Sequence, residues 1–121
     1  MSIYHDLLAA LKTALPNTWA VELPERPTWP AAVFNVESLP EDGWVAGVAY
    51  VRHTVNLVVL DTDLDALEAF LPIGAGGAFR AALEALDAYQ LEESAGDAAY
   101  EPDPKVYGRS LVVQLRTMHL N

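Results

Sequence analysis

Residues 47–60, GVAYVRHTVNLVVL, constrain this chain more than any other stretch, because they alternate over the length of a long strand. The odd positions are Ala49, Val51, His53, Val55, Leu57 and Val59, and the even ones Tyr50, Arg52, Thr54, Asn56 and Val58. Successive side chains of a strand point to opposite faces, so one face belongs to a core and the other is polar. A sheet of that kind is expected to be antiparallel, with helices packed on its apolar side.

The rest of the chain supplies both parts. Residues 3–15 place Ile3, Tyr4, Leu7, Leu8, Leu11 and Leu15 at helical spacing, with Ser2 as N-cap and Pro16-Asn17 as a stop. A short edge strand over 19–23 runs into the proline-rich LPERPTWP, and AAVFNVES (31–38) turns Ala32, Phe34 and Val36 to one face, Val33, Asn35 and Glu37 to the other. LPEDGWVAG reads as a loop. A helix over 63–71 follows the long strand, capped by Thr62 with Asp65, and Pro72 stops it. AFRAALEALDA (78–88) is a further helix with Phe79, Leu83 and Leu86 on its apolar face and Arg80 elsewhere. A short strand (89–93), an acidic loop SAGDAAYEPDPK and a last strand (106–120) complete the chain. In the last strand Leu111, Val113 and Leu115 face one way and Ser110, Val112, Gln114 and Arg116 the other. The order α-β-β-β-α-α-β-β defines a single α+β domain spanning residues 1–121, with Phe34, Val55, Leu57, Leu83, Leu111 and Val113 in its core.

Between the two later helices stands IGAGGAFR (73–80). A phosphate cradle of the dinucleotide type needs a strand before the glycines, and here a helix precedes them. The third glycine of the motif would fall at Phe79, and no Gly-Lys-Ser/Thr occurs. The glycines therefore read as a chain reversal with positive φ. Asp61-Thr62-Asp63-Leu64-Asp65 imitates the opening of a calcium loop but has Ala66 where glycine is required and Pro72 where the closing glutamate belongs. His5, His53 and His119 lie in separate elements, no nucleophile elbow is present, and the serines have no activating neighbour in the sequence. The expectation is a protein that is not an enzyme, with no catalytic, metal or cofactor-binding residues.

Charge excludes more. The chain has 17 acidic and seven basic residues, a net charge of −10, with acids outnumbering Arg80 eleven to one between Asp61 and Asp103. Binding a nucleic-acid backbone relies on clustered Lys and Arg, which are scarce and scattered here. The acids read as a solvated face that keeps the protein soluble. The absence of cysteine is compatible with a reducing compartment, and the charged N-terminal pattern fits neither a signal peptide nor a membrane span, so synthesis in the cytosol is expected.

In layout the chain resembles the tail terminator (tail completion) proteins of long-tailed bacteriophages. The resemblance runs through YHDLLAALKTAL, the proline before a strand in WPAAVFNV, the long strand VRHTVNLVVL, DTDLDALEAFLP leading into FRAALEAL, and YEPDPKVYGRSLVVQLRT, an acidic loop and a final strand with an arginine near its start. It implies a subunit of a homohexameric ring on the head-proximal end of the tail tube. Its partners would be other copies of itself, the tail tube protein and a head-completion or neck protein. It would be found in the virion tail, and in the host cytoplasm during assembly. DNA would pass through such a ring without specific binding, and an acidic lumen would let it slide. Another phage neck or connector subunit has the same outline.

The free sheet face mixes Tyr50, Arg52, Gln114 and Arg116, a composition compatible with a solvated surface or with a wet interface, where Tyr and Arg are enriched. By the resemblance, the loop SLPEDGWVAG reaches a neighbouring subunit, which makes Trp44 and Val45 candidate anchors. The candidate subunit and tube interface is thus Trp44, Val45, Tyr50, Arg52, Gln114 and Arg116. The alternative from another class is an acidic DNA mimic that occupies the basic groove of a DNA enzyme, suggested by the acid-rich 61–103 region.

Overall fold

A computed structural model describes residues 3–41 and 48–120, with side chains described over 3–41 and 50–118. Among the described residues there are three helices and five strands, in the order α1 (Ile3–Ala14), β1 (Thr18–Ala20), β2 (Ala31–Glu41), β3 (Val48–Asp61), α2 (Leu64–Phe70), α3 (Ala78–Glu84), β4 (Tyr89–Ala99) and β5 (Tyr107–Leu120). The strands form one sheet, β1-β2-β3-β5-β4, and the fold is α+β. No helix among the described residues is long and apolar enough to cross a membrane.

The alternation of the long strand sets the register. His53, Val55, Leu57 and Val59 are buried, and antiparallel pairing with β2 and β5 aligns Phe34 with Leu57 and Leu57 with Leu111. The apolar stripes of the helices close over this face: Leu7 and Leu11 of α1, Leu67 of α2, and Phe79 and Leu83 of α3 join the same cluster. All six residues expected in the core belong to it.

Several local readings change. The edge strand β1 pairs with β2 in parallel, Thr18 opposite Ala32, because the chain crosses back along residues 21–30 instead of turning a hairpin. Asn17 anchors that crossing, donating to the carbonyls of Thr28 and Pro30 at 2.8 and 2.9 Å. Val21 ends β1 with φ of 73°, a conformation that a β-branched side chain seldom adopts. The cap of α2 is Asp63, one residue later than expected; its carboxylate accepts from the N–H groups of Asp65 and Ala66. Strand β4 runs to Ala99, so the first half of the expected acidic loop is paired with β5. Two register irregularities in β4 blur the alternation that would have marked it as a long strand. Ser2, Trp44 and Val45 lie outside the described residues.

The two outer edges of the sheet differ. Strand β1 covers only the start of β2, and at Val36 the Tyr4 hydroxyl takes over, accepting from its N–H at 2.9 Å and donating to its carbonyl at 3.2 Å. Pro40 further along has no N–H to offer, so this edge is blunted against strand pairing.

Candidate assembly surface

Glycine-rich residues 73–77 present carbonyls inward, not N–H groups. Gly76 and Gly77 adopt φ of 79° and 94°, and a side chain at Gly77 would strike Pro72 and the Phe70 carbonyl. The turn wraps the guanidinium of Arg80, which is 3% exposed and donates to the carbonyls of Pro72, Ile73 (2.9 Å) and Gly76 (3.2 Å). Glu92 of β4 completes the cage at 2.7 Å. The loop thus binds a cation belonging to its own chain, and Arg80 is internal, where helical periodicity had left it outside the apolar face.

Arg109 is the second internal arginine. It donates to the Leu71 carbonyl at 3.1 Å and to Asp97 at 2.9 Å, and pairs with Glu68. Hydrogen bonding to Glu68 raises this guanidinium above its ordinary value, against the opposing effect of burial, so it stays charged. Of the seven basic residues, these two are therefore enclosed, which thins the cationic surface further.

His53 joins the middle of the sheet. Its Nδ1 lies 2.7 Å from Ser38 Oγ and its Nε2 2.9 Å from Thr117 Oγ1, one hydroxyl from each flanking strand. Burial pushes its pKa below the ordinary value, which favours the neutral ring. Ser38 and His53 form a contact that the sequence does not reveal. With both ring nitrogens held by hydroxyls, and no carboxylate among the described residues bonded to the ring, the trio works as a strut across three strands.

Near the second helix, Asp61 accepts from the Asp63 N–H at 3.2 Å while Asp63 caps α2. These carboxylates are occupied by backbone donors, and among the described residues no group of three or more His, Asp or Glu is placed to hold a metal ion.

Past the row Ser38–His53–Leu115, strands β2, β3 and β5 continue as a three-stranded arm formed by residues 39–41, 48–52 and 116–120. None of its described side chains belongs to the core cluster. Its uncovered face carries two cross-strand rows, Leu39–Arg52–Arg116 and Glu41–Tyr50–Met118. Arg116 ties the rows together, reaching Glu41 at 3.2 Å and lying 5.5 Å from the centre of the Tyr50 ring. Arg52 has no ion pair among the described residues. Leu39 and Met118 are 55% and 65% exposed.

The structure thus gathers Tyr50, Arg52 and Arg116 into one patch. Gln114 lies one step back along the same face, where it donates to Glu93. Leu39, Glu41 and Met118 complete the patch. Carrying the alternation of β2 past Ser38 would have placed Leu39 there, but Pro40 reads as a loop residue in sequence.

Compared with known protein families, the chain matches no family model, and no characterised protein sequence matches it significantly.

Proposed function

We propose that this protein is a structural subunit of a long-tailed bacteriophage, a tail terminator. It closes into a homohexameric ring on the head-proximal end of the tail tube, ends tube polymerisation, and provides the joint to the head or neck. The observation that carries this reading is the arm, three strands projecting past the core with an arginine-tyrosine face and exposed Leu39 and Met118 that the described chain leaves uncovered. Tyr and Arg beside exposed aliphatic groups form the composition of interface centres. The charge agrees with a channel for DNA: a net charge of −10, with Arg80 and Arg109 enclosed, repels a duplex and lets it pass.

An acidic mimic of DNA fits less well. Such a mimic needs free carboxylates on one surface, and Asp63, Glu68, Glu92 and Asp97 are engaged by a helix end and by two internal arginines.

The test combines sizing with electron microscopy of the concentrated protein, and complementation of a phage that lacks it. A six-fold ring with a central hole is expected, together with tails of uncontrolled length when the protein is missing. A protein that stays monomeric at every concentration, and a deletion phage with normal tails, would reject the terminator role; inhibition of a DNA enzyme would favour the mimic.

A further inference from the structure

Strand β5 outruns its neighbour β4. Their pairing begins with Tyr89 opposite Leu115, whereas β5 continues to Leu120. Just beyond the last pair, the Arg116 N–H donates to the Ala88 carbonyl at 2.8 Å, so the β5 backbone at Arg116 faces the α3–β4 turn. Backbone groups two residues apart in a strand point the same way. The N–H and C=O of Met118 therefore face that side too, where no strand among the described residues pairs with them.

Two cavities flank this bare edge, one on each face of the sheet, and both are lined by Asp87, Ala88 and Thr117. The first, of about 510 Å³, opens between α1 and the α3–β4 turn; Ile3, Ala10 and Leu86 supply apolar wall, and Asp6 and Asp87 supply charge. The second, of about 380 Å³, lies on the uncovered face between Tyr50, Gln90, Arg116 and Met118. An unpaired strand edge with a recess on either side meets the requirements of strand addition, in which main-chain hydrogen bonds give affinity and recesses on alternate faces receive successive side chains.

We infer that the notch at Met118 accepts an extended segment of another protein, paired to β5 in line with β4. Its successive side chains enter opposite cavities: a lysine or arginine enters the first, its stem against Ile3 and Leu86 and its charge meeting Asp6 and Asp87, and an apolar side chain enters the second beside Tyr50 and Met118. The occupant is a different protein, because Asp6 and Asp87 at the notch favour a basic segment and a second copy of this chain, with a net charge of −10, is repelled. The irregular stretch 21–30 of a second copy holds three prolines, Pro24, Pro27 and Pro30, each without the N–H that a ladder uses. The inference does not depend on ring formation.

The probes are two short peptides, one alternating valine with lysine and one alternating valine with glutamate, titrated into isotope-labelled protein. The lysine peptide is expected to bind, slowing hydrogen exchange at the Met118 amide and shifting Ala88 and Thr117. Met118→Pro removes an outward-facing donor together with the Met118 side chain at the second cavity, so it should keep the melting temperature while weakening binding about tenfold, whereas Met118→Ala, which keeps the donor, should weaken it less. Asp6→Lys with Asp87→Lys should reverse the preference between the peptides. If Met118→Pro does not fold, the charge-reversed variant decides alone. Absence of binding by either peptide at millimolar concentration, protection confined to Tyr89–Ala99, or an unchanged preference in the charge-reversed variant overturns the inference.

Discussion

Arg52 of β3 stands directly opposite Arg116 of β5 on the uncovered face, two like charges in register. Such pairs are destabilising in a sheet. Arg116 is drawn aside by Glu41 and the Tyr50 ring, while Arg52 has no compensating ion pair among the described residues. Replacing Arg52 with Gln is therefore expected to leave monomer stability unchanged or raised by up to about 0.5 kcal/mol in urea unfolding. Under the proposed function the same variant should assemble poorly. A folded Arg52→Gln protein that yields normal virions would remove Arg52 from the interface.

The core prediction rests on adjacent residues of one strand. Leu57→Ala or Leu111→Ala should cost about 2–5 kcal/mol, through lost transfer energy and a cavity. Asn56, one position away on the other face, makes a 3.2 Å bond to Asn35, and Asn56→Ala should cost about 1 kcal/mol. Equal losses at Leu57 and Asn56 would show the register to be wrong.

Arg80 predicts a loss out of proportion to its position beside a glycine turn. Arg80→Met strands the carbonyls of Pro72, Ile73 and Gly76 and the carboxylate of Glu92, and should cost about 3–5 kcal/mol. Arg80→Lys should recover only part of this, because an ammonium cannot span the cage that a planar fork fills. Chemical denaturation measures both; a loss below about 1 kcal/mol for Arg80→Met would mean that the cage adds little.

His53 sets a pH dependence. Its folded pKa lies below the ordinary 6.5, so below that value the unfolded chain binds more protons than the folded one. Stability should thus be complete above about pH 6.5 and decline as pH falls toward the folded pKa. His53→Gln, which retains hydrogen-bonding capacity, should flatten this part of the unfolding profile. An unaltered profile in His53→Gln would assign the dependence to other groups.

Val21 is a strained exposed position. With φ of 73° and a β-branched side chain, it should be improved by Asn or Gly, by about 1 kcal/mol. A lowered melting temperature in Val21→Asn would contradict this.

What the sequence determined by itself is the layered architecture. The period-two pattern of residues 47–60 and 111–115 and the helical stripes of Leu7, Leu11, Phe79 and Leu83 select which atoms leave water, and the helix and strand periods allow only one face for each. It also marked 73–80 as a chain reversal, and Gly76 and Gly77 take the positive φ expected there. The tertiary structure decided whatever depended on groups distant in the chain. Arg80 and Arg109 are internal because carbonyls from a preceding loop and carboxylates from α2 and β4 converge on them, and no local period carries that information. The same holds for the strut of Ser38, His53 and Thr117, whose members come from three strands. The arm arises because β2, β3 and β5 extend past the core cluster and β4, a mismatch in lengths that becomes visible only when the strands are laid side by side in register.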